Sequence, residues 1–185
     1  MSGGTAEPGE VSVTFCYNDY RDLEVDEAPC VPAPGSDPGS DDWSAFEGLV
    51  AENEEDMGDV VIRQGDDVEV RVEDSLIATI TNLLIAVPDL VDRRHVVIPG
   101  FQMYGYLRMD PEASDQLISG DHVPTVRVKR VGLIPGIVDL GERFCDFLEH
   151  FVAERDDYAA IIEDLRDDKL PTAQAALRRW DPHSG

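Results

Sequence analysis

The chain has 185 residues, of which 39 are Asp or Glu and 15 are Lys or Arg, for a formal net charge of −24 and a pI near 4.2. A field of that sign repels nucleic acid, anionic lipid and nucleotides and speeds encounter with basic proteins, which excludes direct nucleic-acid binding as an expectation. Hydrophobic residues make up 42%, enough to fill one core, while every apolar run is far shorter than the roughly 20 residues of a membrane span, so the expectation is one domain and no membrane.

The first residues, Met1-Ser-Gly-Gly-Thr-Ala-Glu-Pro, show neither the basic nor the apolar segment of a secretory signal, and a cytoplasmic protein is expected. Val11, Val13 and Phe15 alternate with Ser12, Thr14 and Cys16, which predicts a first strand with one buried face. Residues 26–40 carry four prolines and two glycines without periodicity and read as an acidic linker or covering loop. Ser40-Asp41-Asp42 then offers N-cap candidates for a short helix with Trp43, Phe46, Leu49 and Val50 at helical spacing, ending near Glu54.

Residues 60–63, the Gln64-Gly65-Asp66 turn, and Val68, Val70 and Val72 in alternation with charged residues predict a β-hairpin. Asp74-Ser75 caps the next run, where Leu76, Ile77, Ile80, Leu83, Leu84 and Val87 keep helical spacing until Pro88, the expected stop. Residues 95–98, 101–109, 116–119 and 125–131 predict an antiparallel meander, with Phe101, Met103, Leu107 and Met109 on one face. From Ile137 the period returns to that of a helix: Leu140, Phe144, Phe147, Leu148, Phe151 and Val152 form one stripe. That helix continues or breaks near Asp156 before Tyr158, Ile161, Ile162 and Leu165, and stops around Lys169-Leu170-Pro171. A last helix covers 172–180.

Hairpins interrupted by helices, without regular strand and helix alternation, predict an α+β fold: an antiparallel sheet of hairpin plus meander with helices packed on one face. Residues 1–180 form the single domain in this reading, and 181–185 a flexible tail.

The patterns of catalytic chemistry are missing from the sequence. There is no G-x-x-x-x-G-K-[ST], no H-E-x-x-H and no acidic calcium loop, so no cofactor and no metal are expected. Cys16, Cys30 and Cys145 are odd in number and lack C-x-x-C spacing, which predicts reduced thiols rather than a disulfide framework or zinc site. His95, His122, His150 and His183 do not pair with one another at helical spacing. Cys145 and His150 fall on different sides of one predicted helix, which rules them out as nucleophile and base.

The charge itself is the sharper signal. Asp139, Glu142, Asp146, Glu149, Asp156 and Asp157 fall opposite the apolar stripe, and acids recur to Asp168 with Arg143, Arg155 and Arg166 as the local counter-charges. A solvated surface accounts for most such runs. Repulsion between acids one turn apart nevertheless costs a few tenths of a kcal/mol per pair, so a function in binding a basic protein is the competing explanation. Tyr104 and Tyr106 alternate with the inward residues of their strand and are nominated as aromatic contacts.

Asp74-Ser-Leu-Ile, Asn82-Leu-Leu, Tyr104-Gly-Tyr106, Ile118-Ser-Gly120 and Gly141-Glu-Arg-Phe144-Cys-Asp-Phe147-Leu lie within residues 74–151. In this region the chain resembles small acidic bacterial proteins, some of them immunity-type proteins of toxin–immunity systems. The resemblance implies a non-enzymatic binding protein that blocks a toxin or nuclease by covering its active site, and it carries over no catalytic residue. The alternatives are a DNA mimic that occupies the cleft of a nucleic-acid enzyme, a small enzyme with a carboxylate pair assembled in space, and a structural or salt-adapted domain.

Overall fold

Alternation in the first strand is what seeds the core. In the computed structural model, which describes residues 10–17, 57–100, 105–121, 123–151 and 156–181 without the side chains of Tyr17, Met57, Asp156 and Asp157, β1 spans Val11–Tyr17. It pairs antiparallel with β2 (Met57–Gln64), which pairs antiparallel with β3 (Val68–Ser75). Register places Phe15 opposite Val60 and Val60 opposite Val72, with Val13, Ile62 and Val70 in the next row. Opposed residues share a face, so these six build one apolar surface, and all six are buried. The opposite face is not polar throughout: Cys16, Asp59 and Val61 are also buried. Between β2 and β3 the turn needs a left-handed residue, supplied by Gly65 at φ 58°.

Helix α1 (Leu76–Val91) follows directly, its first turn capped by the Ser75 hydroxyl, which accepts the Ala78 N–H at 3.2 Å. Pro88 does not stop it, contrary to expectation. The apolar spacing of Leu83, Leu84 and Val87 continues to Leu90, which is fully buried, and that burial offsets the backbone bond Pro88 cannot make. A second sheet then forms from β4 (Val96–Pro99), β5 (Tyr106–Glu112), β6 (Asp115–Gly120) and β7 (Val126–Lys129), antiparallel and in sequence order. The fold is α+β, as the sequence predicts, with its strands divided between two sheets.

The largest departure lies after β7. Residues expected to extend that strand instead open α2 (Arg130–Phe151), so the helix begins at Arg130 rather than Ile137 and carries Pro135 inside it. Two glycines and a proline disfavour helix locally. What they permit is close approach to β1: a Cβ on Gly132 would lie 2.6 Å from Val11 Cβ, and one on Gly136 2.8 Å from Val13 Cγ2. Leu133, Ile134 and Ile137 are buried as a result, and tertiary packing outweighs the local preference. Farther along, Phe144 and Phe147 meet Phe15 edge-on, with ring centroids 5.2 and 5.4 Å away.

Two more helices complete the chain: α3 (Asp156–Asp164) and α4 (Leu170–Arg179). The stop expected at residues 169–171 does not occur. A π-helical turn, Leu165–Lys169, joins the two, the Leu170 N–H reaching the Leu165 carbonyl, and Pro171 follows directly in the first turn of α4.

The thiols also differ from expectation. Cys16 is disulfide-bonded, whereas Cys145 is free and buried. The linker at 26–40, the helix at 40–54, Phe101, Met103 and Cys30 lie outside the described residues.

Exposed ion pairs decorate both sheets, and two of them set a pH dependence. The Lys129 ammonium bonded to Asp115 at 2.6 Å holds that carboxyl below its ordinary 3.8, and Arg63 does the same for Glu69. A carboxyl depressed in the folded state stabilises above its unfolded pKa, and that contribution disappears as pH falls through the folded value. Urea unfolding of wild type and Asp115→Asn should therefore differ by less than about 1 kcal/mol at neutral pH, and the difference should vanish as pH falls through the lowered folded-state value of Asp115. A difference that persists in acid would show that the pair is not its source.

Candidate functional site

The carboxylates nominated on α2 stand opposite its buried stripe of Leu140, Phe144, Phe147 and Leu148, and the structure brings four of them together along one ridge. They are not left bare. Asp139 accepts from Arg143 Nε at 3.0 Å, and Glu142 accepts from Gln174 Nε2 of α4 at 2.7 Å. Arg166, on the π-helical turn, donates to Asp146 Oδ1 at 2.9 Å and to Glu149 through both Nη2, at 2.6 Å, and Nε. The ridge is thus an interhelical seam, its acids held in place by side chains from the C-terminal helices. Burial pulls the Arg166 guanidinium down, but its bonds to Glu149 and Asp146 prevail and hold it above its ordinary value.

Next to this seam the C-terminal helices add Glu163, Asp164, Asp167 and Asp168, all exposed, with Lys169 bridging Asp164 at 3.2 Å and Asp168 at 2.7 Å. Within the described part of this surface the acids outnumber Arg143, Arg166 and Lys169, and the excess is negative. The side chains of Asp156 and Asp157, and the whole of Tyr104, lie outside the described residues.

Tyr106 is described. It opens β5 opposite Pro99 and is 41% exposed. Beside it lies a cavity of about 10 Å³ that Asp74, Thr79 and Val123 also line, with room for no more than about one water. Tyr106 therefore lines a space too small for a ligand, and its exposed part is open contact surface.

Cys145 and His150 do not assemble a nucleophile and base. Burial pushes the Cys145 thiol up to about 11, while His150 is exposed, its ring edge-on to Phe151 at 4.6 Å. His95 and Arg108 both bond the Asp110 carboxylate in an exposed cluster on the second sheet. Among the described residues no three His, Cys, Asp or Glu side chains are grouped as a metal site.

Sequence reasoning took Arg166 for a local counter-charge of its own helix and missed its bonds to Asp146 and Glu149 on another. No pattern in the chain points to a partner that far away. Nor does any local pattern show that Arg93 lines one cavity with Lys129 and Arg130. No helix among the described residues is long and apolar enough to cross a membrane. Compared with protein-family models, curated proteins and solved structures, the chain matches none.

Proposed function

We propose that this is a non-enzymatic binding protein that takes a basic protein partner, in the manner of an immunity or inhibitor protein acting on a toxin or nuclease. The observation that carries the reading is the ridge of α2 together with the C-terminal helices: carboxylates held rigid by interhelical bonds and still in excess over the cations that hold them. Rigid, half-exposed charge loses little conformational freedom when a partner docks, and its field accelerates encounter. Arg166 between Asp146 and Glu149 interrupts the even run of negative charge that imitation of a DNA backbone needs, so a protein partner is the better reading.

The test separates a site from bulk charge. Glu142→Lys with Asp167→Lys and Asp66→Lys with Asp67→Lys change the net charge equally, the first on the ridge and the second at the β2–β3 turn. Wild type should retain basic proteins at low salt and release them at about 1 M NaCl, where the Debye length is ~3 Å. The ridge variant should lose that retention and the turn variant keep it. Equal loss in both, or no retention by wild type, would remove the basis for the reading.

A further inference from the structure

In a chain this rich in carboxylates, an arginine without one is unusual. Arg63, Arg71, Arg94, Arg108, Arg127, Arg143 and Arg166 each reach a carboxylate. Arg178 and Arg179 do not among the described residues, but they stand exposed at the end of α4. Arg93 and Arg130 are different: neither is ion-paired among the described residues, and both line one cavity of about 320 Å³, with Lys129 and Trp180.

Arg130 is the anomaly. It is only 5% exposed at the start of α2, yet its guanidinium has no counter-ion among the described residues. One Nη2 bond goes to the Leu90 carbonyl, and Nε, fully buried, has no hydrogen-bond partner. A buried unsatisfied N–H on a charged group is costly, and an unpaired buried charge more so. Burial first, and the neighbouring charge of Arg93 second, hold the Arg130 guanidinium below its ordinary value. Two like charges that line one cavity, neither of them ion-paired among the described residues, are what a bound anion would relieve.

The backbone there is strained as well. Among the described residues the non-glycine positions at positive φ are Arg93, at 60°, and Ala113, at 48°. Both line the cavity, and Arg93 Nη2 donates to the Ala113 carbonyl at 2.7 Å. Strain of this kind costs on the order of 1–3 kcal/mol per residue and collects where geometry serves a ligand. The Arg93 side chain thus lies against the β5–β6 turn, whose Ser114 carbonyl also accepts the Arg130 N–H at the start of α2, at 3.2 Å.

We propose that the cavity bounded by Arg93, Lys129, Arg130 and Trp180 binds a small organic oxyanion, a phosphate monoester or a carboxylate, whose ring or apolar body lies against the Trp180 indole. Arginine forks suit both oxyanions, since each presents paired oxygens to parallel N–H donors. The helix N-terminus adds partial positive charge on the same side. Asp92 and Asp181 also line the cavity, and Asp92 reaches Arg94 at 3.4 Å. The net charge of −24 opposes entry from a distance, but at physiological salt the Debye length is about 8 Å, so distant carboxylates are screened while the contacts are not. At about 320 Å³ the cavity takes a metabolite rather than a macromolecule. This site is separate from the acidic ridge and uses the opposite chemistry, so it stands or falls apart from the proposed function.

The test is calorimetric titration of the full chain with phenyl phosphate and with benzoate at constant ionic strength, chloride being the reference anion. Saturable one-to-one binding is expected, and Arg93→Gln, an exposed position, should weaken it at least about tenfold. The tighter of the two ligands names the source of the oxyanion. Arg130→Met should abolish binding and, with no anion present, leave Tm unchanged or raise it by about 2–4 °C, because it removes an uncompensated buried charge. The Leu90 carbonyl keeps the Arg93 backbone N–H at 3.1 Å, so it is not orphaned by that change. A purely structural arginine would show the reverse, a lower Tm with binding unaffected. No saturation below about 10 mM of either ligand, or a Kd within about twofold of wild type in Arg93→Gln, would overturn the proposal.

Discussion

Phe15→Ala is expected to destabilise the fold by about 3–5 kcal/mol, read as a fall in the urea midpoint with the slope unchanged. The ring is fully buried at the point where β1 meets α2, and it stands edge-on to both Phe144 and Phe147. Truncation therefore removes transferred apolar area and two aromatic contacts, and leaves a cavity that β1 and α2 cannot close, because Gly132 and Gly136 already place them at contact distance from Val11 and Val13. Phe15→Leu, which keeps most of the volume, should recover more than half of the loss. If Phe15→Ala cost less than about 1.5 kcal/mol, the packing of the first strand on α2 would have to be wrong.

Arg143→Ala should cost about 2–4 kcal/mol, a large effect for a single polar side chain. Arg143 is 8% exposed, and its Nη2 donates to the Val13 carbonyl at 2.6 Å while Nε holds Asp139 at 3.0 Å. The first bond crosses from α2 to the edge strand β1 and satisfies a backbone carbonyl. The second fixes a carboxylate of the ridge. Arg143→Lys cannot span both at once and should recover only part of the loss, whereas Asp139→Asn, at a site 37% exposed, should cost under about 1 kcal/mol. Thermal or urea unfolding of the three variants checks the order, and a larger loss for Asp139→Asn than for Arg143→Ala would reverse the assignment of the backbone bond as the stronger of the two.

Much of the fold was legible because it is written in local periodicity. The alternation of Val11, Val13 and Phe15, the turn at Gly65 and the Ser75 cap each depend on neighbours in sequence, and each appears where expected. The misjudged boundaries share one cause. At Pro88, at Gly132 to Gly136 and at Pro171 the local signal says stop, while distant contacts favour continuing: Leu90 in the core, and Val11 and Val13 against the glycines of α2.

The candidate site divides the same way. Composition and helical spacing alone place Asp139, Glu142, Asp146 and Glu149 on a face opposite the core, and establish that the chain is acidic, α+β and has the apolar content for one core. Only tertiary structure could decide that Arg166 and Gln174 bind that face, and that Arg93 and Arg130 line one cavity with no ion pair among the described residues. Helical and strand periods report which side of an element is buried, because that depends on residues a few positions apart. Which charge meets which depends on how elements far apart in sequence pack, and nothing in the local pattern carries that information.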